Sequence, residues 1–277
     1  MKCTLGFSPC PNDTFIFDAL VNRKINTGPF EFEVVLEDVQ TLNQWAQQGR
    51  LDITKISYGV LPKITQQYTV LQSGGALGKG VGPLLISAQP VPESMEQKTA
   101  LVNSSVIAIP GADTTAHFLF SQAFPFATQK VFKRFDEIES FVASGQGLGV
   151  IIHENRFTYQ QKGLHKIIDL GDYWEQSTGN PIPLGGIVMK RSINKSVIQH
   201  VDALIHRSVE YAFAHQDQLP DYVRSHAQEM SEEVMRKHID LYVNDYSLSL
   251  GEQGRAAVMA LMQSFTGSPV NEAFTFV

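Results

Sequence analysis

The feature that most constrains this chain is a regular exchange of two periodicities. Short apolar runs, each closed by turn or capping residues, alternate with segments whose apolar residues recur at helical spacing. Strands are predicted over residues 3–7, 51–57, 84–87, 106–109, 130–135, 149–152, 165–170 and 185–189, and over 30–36, where Phe30, Phe32, Val34 and Leu36 share one face. Phe15, Phe17, Ala19 and Leu20 suit a short buried helix. Leu42, Trp45 and Ala46 mark a second, closed by Gly49. Residues 115–123 form a third, and Asp136 with Glu139 reads as the capping box of a fourth that ends near Gly145. From Ser192 the pattern is helical to about residue 263, with Val197, Val201, Leu204, Ile205 and Val209 on one apolar face and breaks at Pro220 and Gly251. Strand and helix in alternation predict an α/β chain with a mixed, mainly parallel sheet, because parallel neighbours need a crossover between them.

A length of 277 residues suits two modest lobes. The glycines at 74, 75, 78, 80 and 82 make residues 73–83 a bend, and with the strand at 185–189 they offer two places to cross between lobes. The expected division is residues 1–86 with 190–277 as a discontinuous first lobe and 87–189 as the second. Two crossings make a hinge, and the cleft beside a hinge is the default place for a ligand.

Charge narrows the ligand. The net charge is -6 with no run of Lys or Arg, which excludes an electrostatic footprint for nucleic acid or an anionic membrane. A small organic anion held by local N–H groups and one or two cations remains compatible. No stretch approaches the ~20 apolar residues of a membrane span, and the first residues lack the apolar run of a secretory leader. Cys3 and Cys10 are too few and too close for a disulfide framework or a cysteine zinc site. A cytoplasmic protein, monomeric or a weak homodimer, is expected.

The glycine motifs at 75–82 and 145–149 miss the nucleotide fingerprints: Pro83 and Val150 stand where G-x-G-x-x-G needs small residues, and neither run ends in Gly-Lys-Ser/Thr. They read as turn glycines. His153-Glu154 begins an H-E-x-x-H metal motif that fails at Phe157, and His117, His165, His200, His206, His215, His226 and His238 are scattered, so no metal is expected. His153 itself ends a predicted strand, where ligands of parallel α/β sheets sit, and imidazole accepts a proton near neutrality. The plainer role is a structural His bonded to a backbone carbonyl. Lys55, Ile56 and Ser57 end another strand, and Thr114, Thr115 and Ala116 open a helix whose N-terminus favours an anion. Simple capping also explains Thr114 and Thr115. Residues 8–14, Ser-Pro-Cys-Pro-Asn-Asp-Thr, read as a shaped loop in which two prolines forbid helix; Asn12, Asp13 and Thr14 would cap the next helix or offer hydrogen bonds to a ligand. Cys10 has the chemistry of a nucleophile, but the sequence fixes no base beside it.

Residues 8–15, 52–57 and 149–154, in this order, resemble the 1,4-dihydroxy-6-naphthoate synthases, menaquinone-biosynthesis enzymes of the futalosine pathway. The likeness runs over essentially the whole chain, and the first segment is the most specific. It implies a type II periplasmic-binding-protein fold. It also implies a carbon–carbon lyase without a cofactor, converting cyclic dehypoxanthinyl futalosine to 1,4-dihydroxy-6-naphthoate with release of a small sugar-derived fragment. It assigns the catalytic base to His153 and substrate contacts to Lys55, Ile56 and Ser57 and to Thr114, Thr115 and Ala116. Three other readings share the fold: a non-catalytic small-anion-binding protein, the chorismate dehydratase of the same pathway, and a regulatory effector domain. The missing leader argues against the first, the residue 8–14 loop against the second, and the acidic charge without a helix-turn-helix against the third.

Overall fold

The computed structural model describes residues 1–227 and 231–277. Its strands, in chain order, are β1 (Lys2–Phe7), β2 (Glu31–Leu36), β3 (Ile53–Ser57), β4 (Tyr68–Val70), β5 (Ala76–Gly78), β6 (Leu84–Ser87), β7 (Ile107–Ile109), β8 (Lys130–Phe132), β9 (Leu148–Ile151), β10 (His165–Asp169) and β11 (Ile182–Lys190). The chain divides into two units, Met1–Gly78 with Pro183–Val277, and Lys79–Ile182. These crossings come earlier than 86/87 and 189/190. The reason is strand pairing: β6 bonds to β9 and β10 of the second sheet, whereas β11 bonds to β3 and β4 of the first.

In the first unit the order is β2-β1-β3-β11-β4, with β5 on β11. β1 lies between β2 and β3 and runs parallel to both. β11 runs antiparallel to β3 and β4. Against one face pack the Pro11–Val21 and Lys195–Ala214 helices, burying Phe15, Phe17, Val201, Leu204, Ile205 and Val209 over Leu5 and Phe7. Phe7 and Phe17 stack with ring centroids 4.4 Å apart. Each such side chain contributes roughly 1.5–3 kcal/mol by leaving water.

The second unit has the order β10-β6-β9-β7-β8. β7 is parallel to β8 and β9, and β6 is antiparallel to β9 and β10. Leu84, Ile86, Ala108, Ile151, Ile138 and Val142 form its core. Each sheet is therefore mixed. The reversed pairings belong to β6 and β11, the strands beside the two crossings.

Several local expectations change. A helix starts at Pro11, inside the segment read as helix-free, because Pro at the first helical position has no N–H that the helix would use. Its cap position is Cys10, without a side-chain cap, so Asn12, Asp13 and Thr14 form the first turn. The Met95–Ser104 helix, capped by Ser94, lies in a segment to which the sequence assigned no element. The capping contact before the Ile138–Ala143 helix comes from Glu137, which accepts from the Arg134 N–H at 3.1 Å, and not from Asp136 with Glu139. The glycine bend includes the short strand β5. The helical expectation for residues 228–230 lies outside the described residues.

Two tyrosines lie deep in the first unit. Tyr58 is fully buried with no hydrogen-bond partner for its hydroxyl, which lies over Gly186; a β-carbon there would run into the ring. Burial pushes its phenol far above the ordinary range. Tyr68 donates to the Leu51 carbonyl at 2.6 Å, and burial pushes it up to about 12. Among the described residues no helix is long and apolar enough to cross a membrane.

Candidate functional site

In the first unit the candidates gather where β1 and β3, adjacent and parallel, end. The chain leaves β1 through Ser8 and turns into the Pro11–Val21 helix, which places Asp13 in its first turn, where a carboxylate suits the partial positive charge. Asp13 is buried. Its Oδ2 accepts from the Ser8 N–H at 3.2 Å and the Ser8 hydroxyl at 2.7 Å. Its Oδ1 accepts from Asn12 Nδ2 at 2.9 Å and pairs with Lys55 Nζ at 3.0 Å. Lys55, also buried, donates further to the Gly74 carbonyl at 3.0 Å. Thr14 is closed to solvent and turns its hydroxyl onto the Cys10 carbonyl at 3.0 Å. Asn12 Oδ1 meets His238 Nε2 at 3.0 Å. Because Asn12 gives its amide protons to the Asp13 carboxylate, its oxygen faces His238, which must be the donor there. Asn12, Asp13 and Lys55 therefore form a network bonded within the unit, and Thr14 bonds separately to backbone carbonyls of its own turn.

Ser57 is set differently. Asn43, fully buried on the Val39–Gln47 helix, accepts from the Ser57 N–H at 2.9 Å and donates to the Ser57 Oγ at 3.1 Å. This two-point clamp occupies an acceptor lobe of the hydroxyl and directs its own proton elsewhere. Ile56 is fully buried and paired with Gly186 on β11. Asn43 was not singled out in the sequence. Its one signal is an amide beside Leu42 on the inner face of an amphipathic helix.

In the second unit β7 and β9 are adjacent and parallel, with Ala108 opposite Gly149, so the segments that follow leave the same end of the sheet. After β7 comes the Thr115–Ala123 helix. Thr114 caps it, accepting from the His117 N–H at 3.1 Å and donating to the Gly111 carbonyl at 2.8 Å. The cap serves His117, and the helix ladder begins at Phe118. The Ala116 N–H belongs to the same first turn, in the field of the helix N-terminus, and Thr115 and Ala116 are both buried.

After β9 comes His153, half-buried and left-handed, with φ +57°. A residue with a β-carbon adopts this backbone at a cost of about 1–2 kcal/mol, so its surroundings must hold it there. The ring of Phe135 meets the imidazole edge-on, with centroids 4.9 Å apart. Beyond His153, Asn155 Nδ2 donates to Glu139 Oε2 at 2.7 Å, and Arg156 reaches Asp169 Oδ2 at 2.7 Å. Glu139, expected as a cap, is an anchor for this turn, and Lys162 pairs with the same carboxylate. Among the described residues no three His, Cys, Asp or Glu come together as a metal site would require.

The chain matches, over residues 3–266, the sequence pattern of a family described as menaquinone biosynthesis. It is similar to proteins named 1,4-dihydroxy-6-naphthoate synthase from two bacteria. The Thermus thermophilus protein is 48% identical over 93% of this chain and 91% of its own. The Streptomyces coelicolor protein is 38% identical over 93% and 90%. Among solved structures, one from Archaeoglobus fulgidus superposes with TM-score 0.88 at 28% identity, covering 96% of this chain and 98% of that one. The ligand-binding component of an ABC-type import system from Staphylococcus aureus superposes with TM-score 0.70 at 12% identity, covering 100% and 96%, a likeness of fold alone.

Proposed function

This chain belongs to the menaquinone biosynthesis family, and from that premise we propose that it is a cytoplasmic carbon–carbon lyase of the 1,4-dihydroxy-6-naphthoate synthase type, acting on a small anionic substrate with His153 as base. One observation carries the reading: the neighbouring parallel strands β7 and β9 bring a capped helix N-terminus and a histidine to one end of one sheet. An aromatic carboxylate needs N–H and O–H donors in a positive field; the Thr115–Ala123 helix start supplies that chemistry. Cleaving cyclic dehypoxanthinyl futalosine needs a proton removed from the sugar-derived part while charge develops as the carbon–carbon bond breaks. Formation of the second aromatic ring drives the step. A neutral imidazole has the proton affinity for this near neutrality. Cys3 and Cys10, both buried and in no disulfide, suit a reducing compartment.

The test is to incubate the purified protein with cyclic dehypoxanthinyl futalosine, without added metal or cofactor, and follow 1,4-dihydroxy-6-naphthoate by chromatography. Product is expected, and His153→Ala should lower kcat by ~10²-fold or more while substrate still binds. Saturable binding without product would point to a binding protein. Turnover of chorismate instead would move the chain to the dehydratase of the pathway. Full activity in His153→Ala would remove that residue from the mechanism.

A further inference from the structure

The strained turn at His153 has no glycine to ease it, and its hold comes from side chains further along. Arg156 is the central one. Its backbone N–H returns to the His153 carbonyl at 3.3 Å, so the two residues close one turn. One arm of its guanidinium donates to the buried Asp169 carboxylate at 2.7 Å, and the other donates to the Gly82 carbonyl. Both partners are themselves fixed. The other oxygen of Asp169 caps the Leu170–Thr178 helix through the Gly171 N–H at 2.8 Å, and Leu170 N–H bonds to the Pro83 carbonyl at 2.9 Å. Gly82 and Gly171 approach so closely that a β-carbon on either would strike the other's backbone. The guanidinium therefore bolts the His153 turn to a rigid junction of β10 with the segment leading into β6.

We propose that Arg156 is a positioning residue for catalysis: its two-armed bond to Asp169 and Gly82 holds the left-handed backbone that sets the His153 imidazole. This rests on the reading of His153 as the base. Arg156 is otherwise hard to explain as stability alone, because an ion pair that crosses two elements could close on any convenient side chain. This one grips a carbonyl and a capping carboxylate with the fixed fork that only arginine supplies. Released, the turn would relax toward an ordinary right-handed backbone and swing the imidazole off its target. Misplacement by about 1 Å costs on the order of 10²-fold in rate.

The experiment measures kcat and KM for the wild type, Arg156→Lys, Arg156→Ala, His153→Ala and the Arg156→Ala/His153→Ala double variant, using cyclic dehypoxanthinyl futalosine and single-turnover conditions for the slow proteins. Arg156→Ala should lower kcat on the order of 10²-fold with KM changed less than about threefold. Arg156→Lys keeps the charge without the fork and should fall between it and the wild type. In the His153→Ala background the Arg156 substitution should cost nothing more, because it acts through the imidazole. An unchanged kcat in Arg156→Ala, a loss confined to KM, or additive losses in the double variant would overturn the proposal. If Arg156→Ala fails to fold, the kcat-against-KM split in Arg156→Lys decides in the same way. Retained activity in His153→Ala overturns the base assignment itself, whatever Arg156 does, so the two failures are distinguishable.

Discussion

The two units present the same arrangement and finish it differently. In each, a pair of adjacent parallel strands, β1 with β3 and β7 with β9, delivers polar residues to one end of a sheet where a helix begins. In the first unit the polar groups are bonded to one another: Asp13 is held by Ser8 and Asn12 and paired with Lys55, and Ser57 is clamped by Asn43. In the second, His153 stands half-exposed on a strained backbone whose anchors lie two and three residues further on. A network that satisfies itself makes a rigid wall. A strained residue held by its neighbours is a group that has been placed at some cost in stability, and that cost argues for chemistry.

The comparison breaks most readily at Asp13. Asp13→Ala would leave the Lys55 ammonium buried without its carboxylate, and breaking such a pair costs about 3–5 kcal/mol. Urea unfolding should show a loss of this size. A loss under about 1 kcal/mol would mean that the first unit is no preset wall. Next come Ser57→Ala and Thr115→Val, each expected to raise KM by roughly 10-fold if a hydroxyl bonds the substrate carboxylate, since a hydrogen bond to a charged group contributes about 1.5–3 kcal/mol. Unchanged KM and kcat in both would confine the chemistry to the strained turn and leave the carboxylate to backbone donors. The smallest effect belongs to Thr114→Ala. Its hydroxyl is spoken for by His117 and Gly111, so stability should fall by about 1 kcal/mol with KM almost unmoved. A large change in KM would give Thr114 a ligand as well as a cap. The loss of turnover in His153→Ala stands against all four, because it should lower kcat while leaving the folded state and substrate binding intact.

The Thr115–Ala123 helix and all the described strands except the three-residue β4 and β5 were legible because apolar runs and capping residues act locally. So was the position of His153 just beyond the end of β9. The start at Pro11 was misread because proline was weighed as a breaker, whereas at a first turn it is a starter. The directions of β6 and β11 were invisible, since periodicity is the same in parallel and antiparallel strands. The crossings moved because a strand belongs to the sheet that bonds it, and bonding partners lie far off in sequence. Asn43, Glu139 and Arg156 were missed as site residues for a related reason. Each acts on a residue 13 or more positions away through one or two hydrogen bonds, and nothing in the local pattern distinguishes such a side chain from a surface polar one. Asn12, Asp13 and Lys55 were singled out from the sequence, and the structure shows how they bond to one another.

The buried phenols of Tyr58 and Tyr68 make the first unit optically legible in alkali. A phenol whose pKa is raised in the folded state contributes stability that is complete below the ordinary tyrosine pKa and is lost as pH rises through the folded value. These two, and Tyr222, whose phenol burial also raises, would not ionise in step with a solvent-exposed ring. The ultraviolet absorbance of tyrosinate would therefore rise in two stages. The second would arrive together with the collapse of the β3–β11 pairing on which Tyr58 rests, so that colour alone reports when the first unit lets go.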